Sequence, residues 1–173
     1  YMNINEYQNY HETKAHTSAE FPYNTYLCSI PLDFPGVPLH WHDELELVVI
    51  KRGQGFVSVD FDKRLVHSGD IIIIPPRCLH AIEQDDTFKM EYENIIFKPD
   101  LLSSGANDLC MIQYIVPLLD GSLPIEYFLT PALGSFEALS NCIRQIDLVC
   151  ADQTPGWQLA VKSSLFNFFF LLI

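Results

Sequence analysis

Basic residues are scarce in this sequence. Lys and Arg total 10 against 22 Asp and Glu, a formal net charge of −12. Such a surface repels phosphate backbones and anionic lipid, which argues against direct nucleic-acid binding by these residues. Charge of either sign is sparse, at 18%, while 49% of residues are hydrophobic. That balance is the reverse of a disordered tail and predicts a chain that buries a sizeable core. Cysteines are few and scattered: Cys28, Cys78, Cys110, Cys142 and Cys150. They form no CxxC pair and are too few for a disulfide scaffold, so reduced thiols in a cytoplasmic protein are expected. The polar N-terminus, Tyr1–Glu20, lacks the apolar core of a signal peptide or anchor. The closing run Leu165–Ile173, LFNFFFLLI, falls far short of the about 20 residues that span a bilayer. It reads as a helix buried by its own domain or a partner, in a chain cut from a longer protein. At 173 residues the sequence fits one domain, or one with a small appendage.

From Tyr23 to Phe97 short Val/Ile/Phe/Tyr-rich runs alternate with turn residues. Thr25–Ile30, Leu45–Ile50, Phe56–Phe61, Arg64–His67, Ile71–Ile74, Cys78–Glu83 and Phe88–Phe97 read as strands. Lys51-Arg52-Gly53-Gln54-Gly55 reads as a hairpin between two of them. The β-branched run Ile71–Ile74 suits a strand buried on both faces. About eight strands fit this span, with no room for crossover helices, so the sheet is expected to be antiparallel.

After Lys98-Pro99-Asp100 the pattern becomes helical. Asp108–Leu119 is a candidate helix whose last turn Pro117 disfavours. Ser135–Ala151 is the clearest helix. Its residues Phe136, Leu139, Ile143, Ile146 and Cys150 fall at steps of 3, 4, 3 and 4, a narrow apolar seam. Two readings stand for the seam: a dimer contact, or a helix packed on its own barrel. Trp157–Ile173 is the third helix, with Trp157, Val161, Leu165, Phe168 and Leu172 on one face.

The chemistry concentrates in Gly36–Glu46, GVPLHWHDELE. His40, His42 and Glu46 share parity in an extended strand and can face one cavity. His80 follows the run Gly69 to Leu79. Three imidazoles and a carboxylate make a mixed N/O donor set suited to Zn, Ni, Mn or Fe. Periodicity does not bring His80 to the other three. Trp41 and Trp157 read as core residues, and Asp43 and Glu44 as a solvated turn. Cys78 has no base beside it in sequence except His80 and is not expected to act as a nucleophile.

The pattern His40-x-His42-x3-Glu46-x6-Gly53 resembles the first motif of the cupin superfamily, and Gly69-x5-Pro75-x-Arg77-x2-His80 the second. The resemblance implies an antiparallel jelly-roll barrel with His40, His42, Glu46 and His80 at the metal-ligand positions. Arg77 stands where cupins usually carry Gly, and Gln84 where an Asn is common. Arg77 has two readings, a cation at the pocket mouth favouring an anionic ligand, or a solvated turn residue.

The stretch from His40 to Ile50, the run from Gly69 to Pro76, and Tyr92–Leu102 followed by helices are similar to the N-terminal, arabinose-binding-like cupin half of AraC/XylS-type bacterial transcription regulators. That resemblance implies an arm over residues 1–22, an effector-binding barrel over 23–100, and a helical dimerisation and linker region over 101–173. It further implies a homodimer, and a separate helix-turn-helix domain, outside this sequence, that contacts DNA. The effector pocket would comprise His40, His42, Glu46, His80 and Arg77, and the dimer contact Phe136, Leu139, Ile143, Ile146 and Cys150. The four donors are read either as a metal centre or as a hydrogen-bonded cluster lining an effector pocket. A stand-alone metal-dependent enzyme, such as a dioxygenase or sugar isomerase, is the alternative function. No catalytic residue is assigned under the sensor reading.

Overall fold

The structure is a computed structural model and describes residues 2–173. Tyr1, the first residue of the expected arm, lies outside them. The chain forms two compact units, one ending at Lys98 and the other spanning Pro99–Ile173.

The first unit opens with a short helix, Ile4–Gln8 (α1), started by a capping box between Asn3 and Glu6. Seven strands follow: Tyr23–Ile30 (β1), Gly36–His40 (β2), Leu45–Val59 (β3), Asp62–His67 (β4), Ile71–Ile74 (β5), His80–Gln84 (β6) and Met90–Phe97 (β7). All their pairings are antiparallel. Within this unit one sheet runs β1-β7-β3-β5 and the other β2-β6-β3-β4. The mainly antiparallel jelly-roll expected from the sequence is therefore what forms, and helices follow it. Ile71, Ile72, Ile73 and Ile74 are fully buried on both faces, as the unbroken β-branched run implied. Each such side chain contributes about 2 kcal/mol on burial.

One expectation is corrected. Lys51–Gly55 is no hairpin; it lies inside the single strand β3. The register slips between Ile50 and Arg52, and the strand passes from one sheet to the other there. Leu45–Ile50 pairs with β7, and Gln54–Val59 with β4. A strand that changes sheets through a bulge turns the corner of the barrel. Gly53 permits it. Its φ of 77° is left-handed, and any Cβ would strike the Lys89 carbonyl. The sequence signal, Gly flanked by polar residues, is the same for a hairpin and for a kinked strand.

The second unit is helical. Pro99–Leu102 forms a 3-10 turn. The Asp108 side chain then accepts from the backbone N–H groups of Cys110 and Met111, fixing a helical start. The first part of this helix, Met111–Ile115, is wound as a π-helix, and Val116–Leu119 (α2) completes it. Pro117 has no N–H for the ladder, and the departure from α geometry lies just before it. Phe136–Asp152 (α3) and Trp157–Leu172 (α4) match the two expected helices closely and pack on each other. Among the described residues no helix is long and apolar enough to cross a membrane.

Three of the five seam residues on α3, Leu139, Ile143 and Ile146, pack inside the single chain. Cys142, beside the seam, accepts from the Asn167 side chain of α4. Only Phe136 and Cys150, at the seam's ends, are half-exposed.

Gly53→Ala is expected to lower unfolding stability by about 2 kcal/mol or more, since left-handed strain and a backbone clash add. Urea denaturation of the chain measures it. A loss under about 0.5 kcal/mol, the range of an ordinary surface substitution, would contradict the corner role.

Candidate functional site

The site forms where β2, β6 and the start of β3 converge. His40 ends β2 and lies directly opposite His80, the first residue of β6. Their rings are 4.1 Å apart, and His42 closes the group at 5.7 Å from His40 and 5.0 Å from His80. The ligand nitrogens of all three lie within 4.8 Å of one another. Glu46, on β3, places its Oε2 3.0 Å from His42 Nε2 and 3.3 Å from His80 Nε2. Cross-strand pairing thus does what periodicity could not, and brings all four expected residues together.

Hydrogen bonds at the far side of two rings set their tautomers. His40 Nδ1 lies 2.9 Å from the Pro38 carbonyl, and His80 Nδ1 lies 2.8 Å from the Cys78 carbonyl. A carbonyl only accepts, so each Nδ1 carries a proton and, in the neutral ring, each Nε2 presents a lone pair. His80 Nε2 is buried and has no well-formed hydrogen bond. The same is true of His42 Nδ1, whose nearest charged neighbour, Glu44 Oε2, is 3.6 Å away. Imidazoles oriented by carbonyls, with bare nitrogens converging beside a buried carboxylate, fit a divalent transition metal. The direct His42–Glu46 hydrogen bond also satisfies the alternative of a self-contained polar cluster.

Burial disfavours the Glu46 anion, but the His42 hydrogen bond and the His80 and His42 imidazoles beside it outweigh that cost and hold the carboxyl well below the usual range. Burial likewise disfavours the His42 cation, yet Glu46 and Glu44 leave its pKa raised. His40 moves the other way: burial, then the neighbouring His80, lowers it.

Beyond the four donors lies a cavity of about 240 Å³. One face of the β1-β7-β3 sheet supplies its floor. Tyr26 pairs with Asn94, Cys28 with Tyr92, and Glu46 with Ile96 across the strands. All six line the cavity. Asn94 Oδ1 is buried there without a hydrogen-bond partner, and the buried Tyr92 hydroxyl meets only the Cys28 thiol across the strands. Glu12, Lys14 and His16 of the N-terminal segment line it from above.

That segment is held by Trp41, the residue between the two histidines. The Trp41 ring stacks on Tyr7 at 4.7 Å and on His11 at 4.1 Å. Its indole N–H donates to the Tyr7 carbonyl, and its backbone N–H to the Tyr10 carbonyl. Glu12 N–H donates to the Trp41 carbonyl in return. Trp41 is buried, as expected, but beneath the arm rather than in the core between strands.

Two further expectations are corrected. Arg77 does not line the cavity. Its side chain is exposed and bonds the Asp43 carboxylate at 2.8 Å. Its φ of 64° is left-handed, which explains why a glycine suits this position. Glu44 is no solvated residue: it is buried beside His42. Cys78 is pushed up to about 12 by burial and then by Asp60, so its thiol is a poor nucleophile at neutral pH. The sequence reading missed Glu12, Lys14, His16, Tyr26, Cys28 and Asn94. The strand parity of Asn94 with Tyr92 was the available signal for one of them. The arm residues carry none, because their place depends on a contact far away in sequence.

Glu46 is ionised in the folded protein at a pH where the unfolded chain has begun to protonate. Its contribution to stability is therefore complete above its ordinary value of 4.5 and is lost as pH falls below that value. His42, with a raised pKa, contributes below its ordinary 6.5 and loses that contribution as pH rises through its higher folded value. Glu46→Gln should flatten the acid limb of a stability-versus-pH curve measured on metal-free protein. An unchanged acid limb would show that the carboxylate is not held as described.

A sequence profile of the AraC-like ligand binding domain matches residues 35–169. The chain is 32% identical over 159 residues to the uncharacterized HTH-type transcriptional regulator YdeC of Bacillus subtilis, covering 91% of this chain and 54% of that protein. It is 26% identical over 72 residues to a second such regulator, YbfI of Bacillus subtilis, covering 42% of this chain and 26% of that protein. The chain therefore spans about half the length, or less, of these curated relatives. A crystal structure of a cupin protein from Bacteroides fragilis is 24% identical with a TM-score of 0.43, covering 51% of this chain and 80% of that one. The profile extends over most of the sequence and includes every donor of the site, and the chain belongs to the AraC-like ligand-binding domain family.

Proposed function

We propose that this chain is the effector-sensing domain of a cytoplasmic bacterial transcription regulator, with DNA contacted only through a domain outside this sequence. The observation that carries the reading is the cavity, whose wall holds a buried, unpartnered carbonyl oxygen at Asn94 and a buried hydroxyl at Tyr92 that only a thiol meets. An unmet carbonyl acceptor, and a hydroxyl bonded only to a weak thiol acceptor, cost free energy that a polar ligand returns. A volume of about 240 Å³ suits a small molecule with hydroxyl, amine or carboxylate groups. Membership in a ligand-binding family favours sensing over the metal-dependent enzyme alternative.

The four donors form part of the proposal. His40, His42, Glu46 and His80 would hold a divalent Zn, Ni, Mn or Fe ion, which would supply a Lewis-acid anchor for an effector oxygen. The chain's own residues then set specificity. Tyr92 and Asn94 offer a donor and an acceptor on the cavity floor, while Lys14 and Glu12 carry opposite charges above it.

Output would follow by population shift. The arm rests on Trp41, and Trp41 sits between His40 and His42. A ligand that contacts both floor and arm favours the docked arm over the released one, by as much as its affinity for the two differs. Homodimerisation is also part of the proposal. With the α3 seam buried, the contact is assigned to the exposed apolar residues Leu109, Ile112, Phe166 and Phe170 of the helical unit.

In the complete regulator, Asn94→Leu should abolish the response of a transcriptional reporter to the inducing small molecule while leaving operator binding intact. A variant that responds as the wild type does would contradict the cavity as the sensor. Phe170→Asp should give a folded monomer in sedimentation, whereas Ile143→Asp should unfold the helical unit. A chain that sediments as a monomer before any substitution overturns the dimer.

A further inference from the structure

The N-terminal arm brings one carboxylate into the donor group, and it was not among the four expected ligands. Glu12 Oε2 lies 3.5 Å from His40 Nε2 and 3.0 Å from His16 Nε2. His40 Nε2 is the lone-pair nitrogen, because Nδ1 is committed to the Pro38 carbonyl. Two atoms bound to one ion at bonds of about 2.1 Å, at angles near 90–110°, lie about 3.0–3.5 Å apart. The pairs His42–Glu46 at 3.0 Å, His80–Glu46 at 3.3 Å and His40–Glu12 at 3.5 Å all meet that spacing.

The backbone fixes Glu12 there. His11 and Trp41 form a parallel bridge, and the Glu12 N–H donates to the Trp41 carbonyl at 2.9 Å. Trp41 also stacks on the Tyr7 and His11 rings, and the Tyr7 hydroxyl donates to the Arg77 carbonyl at 2.6 Å. The segment that supplies His40 and His42 is therefore the same segment that seats the arm. His16 is the competing partner. It is nearly buried, its Nε2–H donates to the Glu12 carboxylate at 3.0 Å, and its Nδ1 faces the Tyr26 hydroxyl at 3.4 Å.

We propose that Glu12 is an arm-borne fifth ligand of the His40–His42–Glu46–His80 centre, so that a bound divalent cation holds the arm closed over the cavity. This rests on the metal reading above. In the metal-free protein His16 holds Glu12, and the bare His40 Nε2 lies beside it. With a cation present, its carboxylate turns to the ion and His16 is released. Metal occupancy then becomes an input in its own right, since it fixes the arm whether or not an organic effector is bound.

The test uses the full chain and Zn(II) alone. Isothermal titration gives the affinity, and hydrogen exchange across residues 3–16 gives arm closure. The wild type should bind one equivalent and show slowed exchange in the arm when loaded. Glu12→Gln should bind about tenfold or more weakly, the scale of a lost supporting ligand, and its arm should no longer respond to Zn(II). His16→Ala should keep Zn(II) affinity within about twofold of wild type, since losing the competing partner removes no ligand. Equal affinity and equal arm protection in Glu12→Gln would overturn the inference and leave the four-residue centre standing. So would a His16→Ala variant that behaves as Glu12→Gln does, because Glu12 would then serve only to hold His16. Failure of the wild type to bind Zn(II), Mn(II) or Ni(II) overturns both this inference and the metal reading.

Discussion

A buried carboxylate is the constraint on which the site depends. Glu46 is almost wholly excluded from solvent on a strand whose neighbours Leu45, Leu47 and Val48 are equally buried. An ion in such a place survives only if partners replace the lost water. His42 and His80 are those partners, and each must approach from a different part of the chain. His42 arrives through the loop after β2, and His80 through the start of β6. The barrel corner, the pairing of β2 with β6 and the orientation of the rings all follow from bringing these groups to one point.

The corner in β3 is what lets one strand serve both purposes. Its first half lies between β7 and β5 and carries Glu46 into the interior. Its second half lies between β4 and β6, and Val59 pairs with His80 itself. One strand thus spans both sheets and positions both a carboxylate and the strand that bears its histidine partner. Gly53, at the bend, tolerates the close approach of Lys89 that the turn requires.

The sequence made the barrel, the late helices and four donors legible, because each leaves a local trace. Alternation marks strands, spacing marks α3 and α4, and the cupin-like motifs mark the donors, although a loop over 41–44 separates His40 on β2 from Glu46 on β3, so that parity along one strand is not what joins them. Three things left no such trace. The bend in β3 resembles a hairpin because glycine serves both. The seam on α3 looks the same whether α4 or another molecule covers it, and only the fold reveals Leu139, Ile143 and Ile146 packed inside the chain. The arm's role could not be read either. Its residues reach the cavity through Trp41, about thirty positions away along the chain. Arg77 is the reverse case: a plausible cation for the pocket whose left-handed backbone turns it outward to Asp43.

The account stands on imidazoles held with bare nitrogens converging on one point. Long-range proton–nitrogen correlation spectra of the histidine side chains, recorded on the chain with and without Zn(II), test this most directly. The account predicts Nδ1–H tautomers for His40 and His80 in the metal-free protein, and large shifts of their Nε2 signals together with a ring nitrogen of His42 on Zn(II) addition. Nε2–H tautomers at His40 and His80, with spectra indifferent to Zn(II), would contradict it.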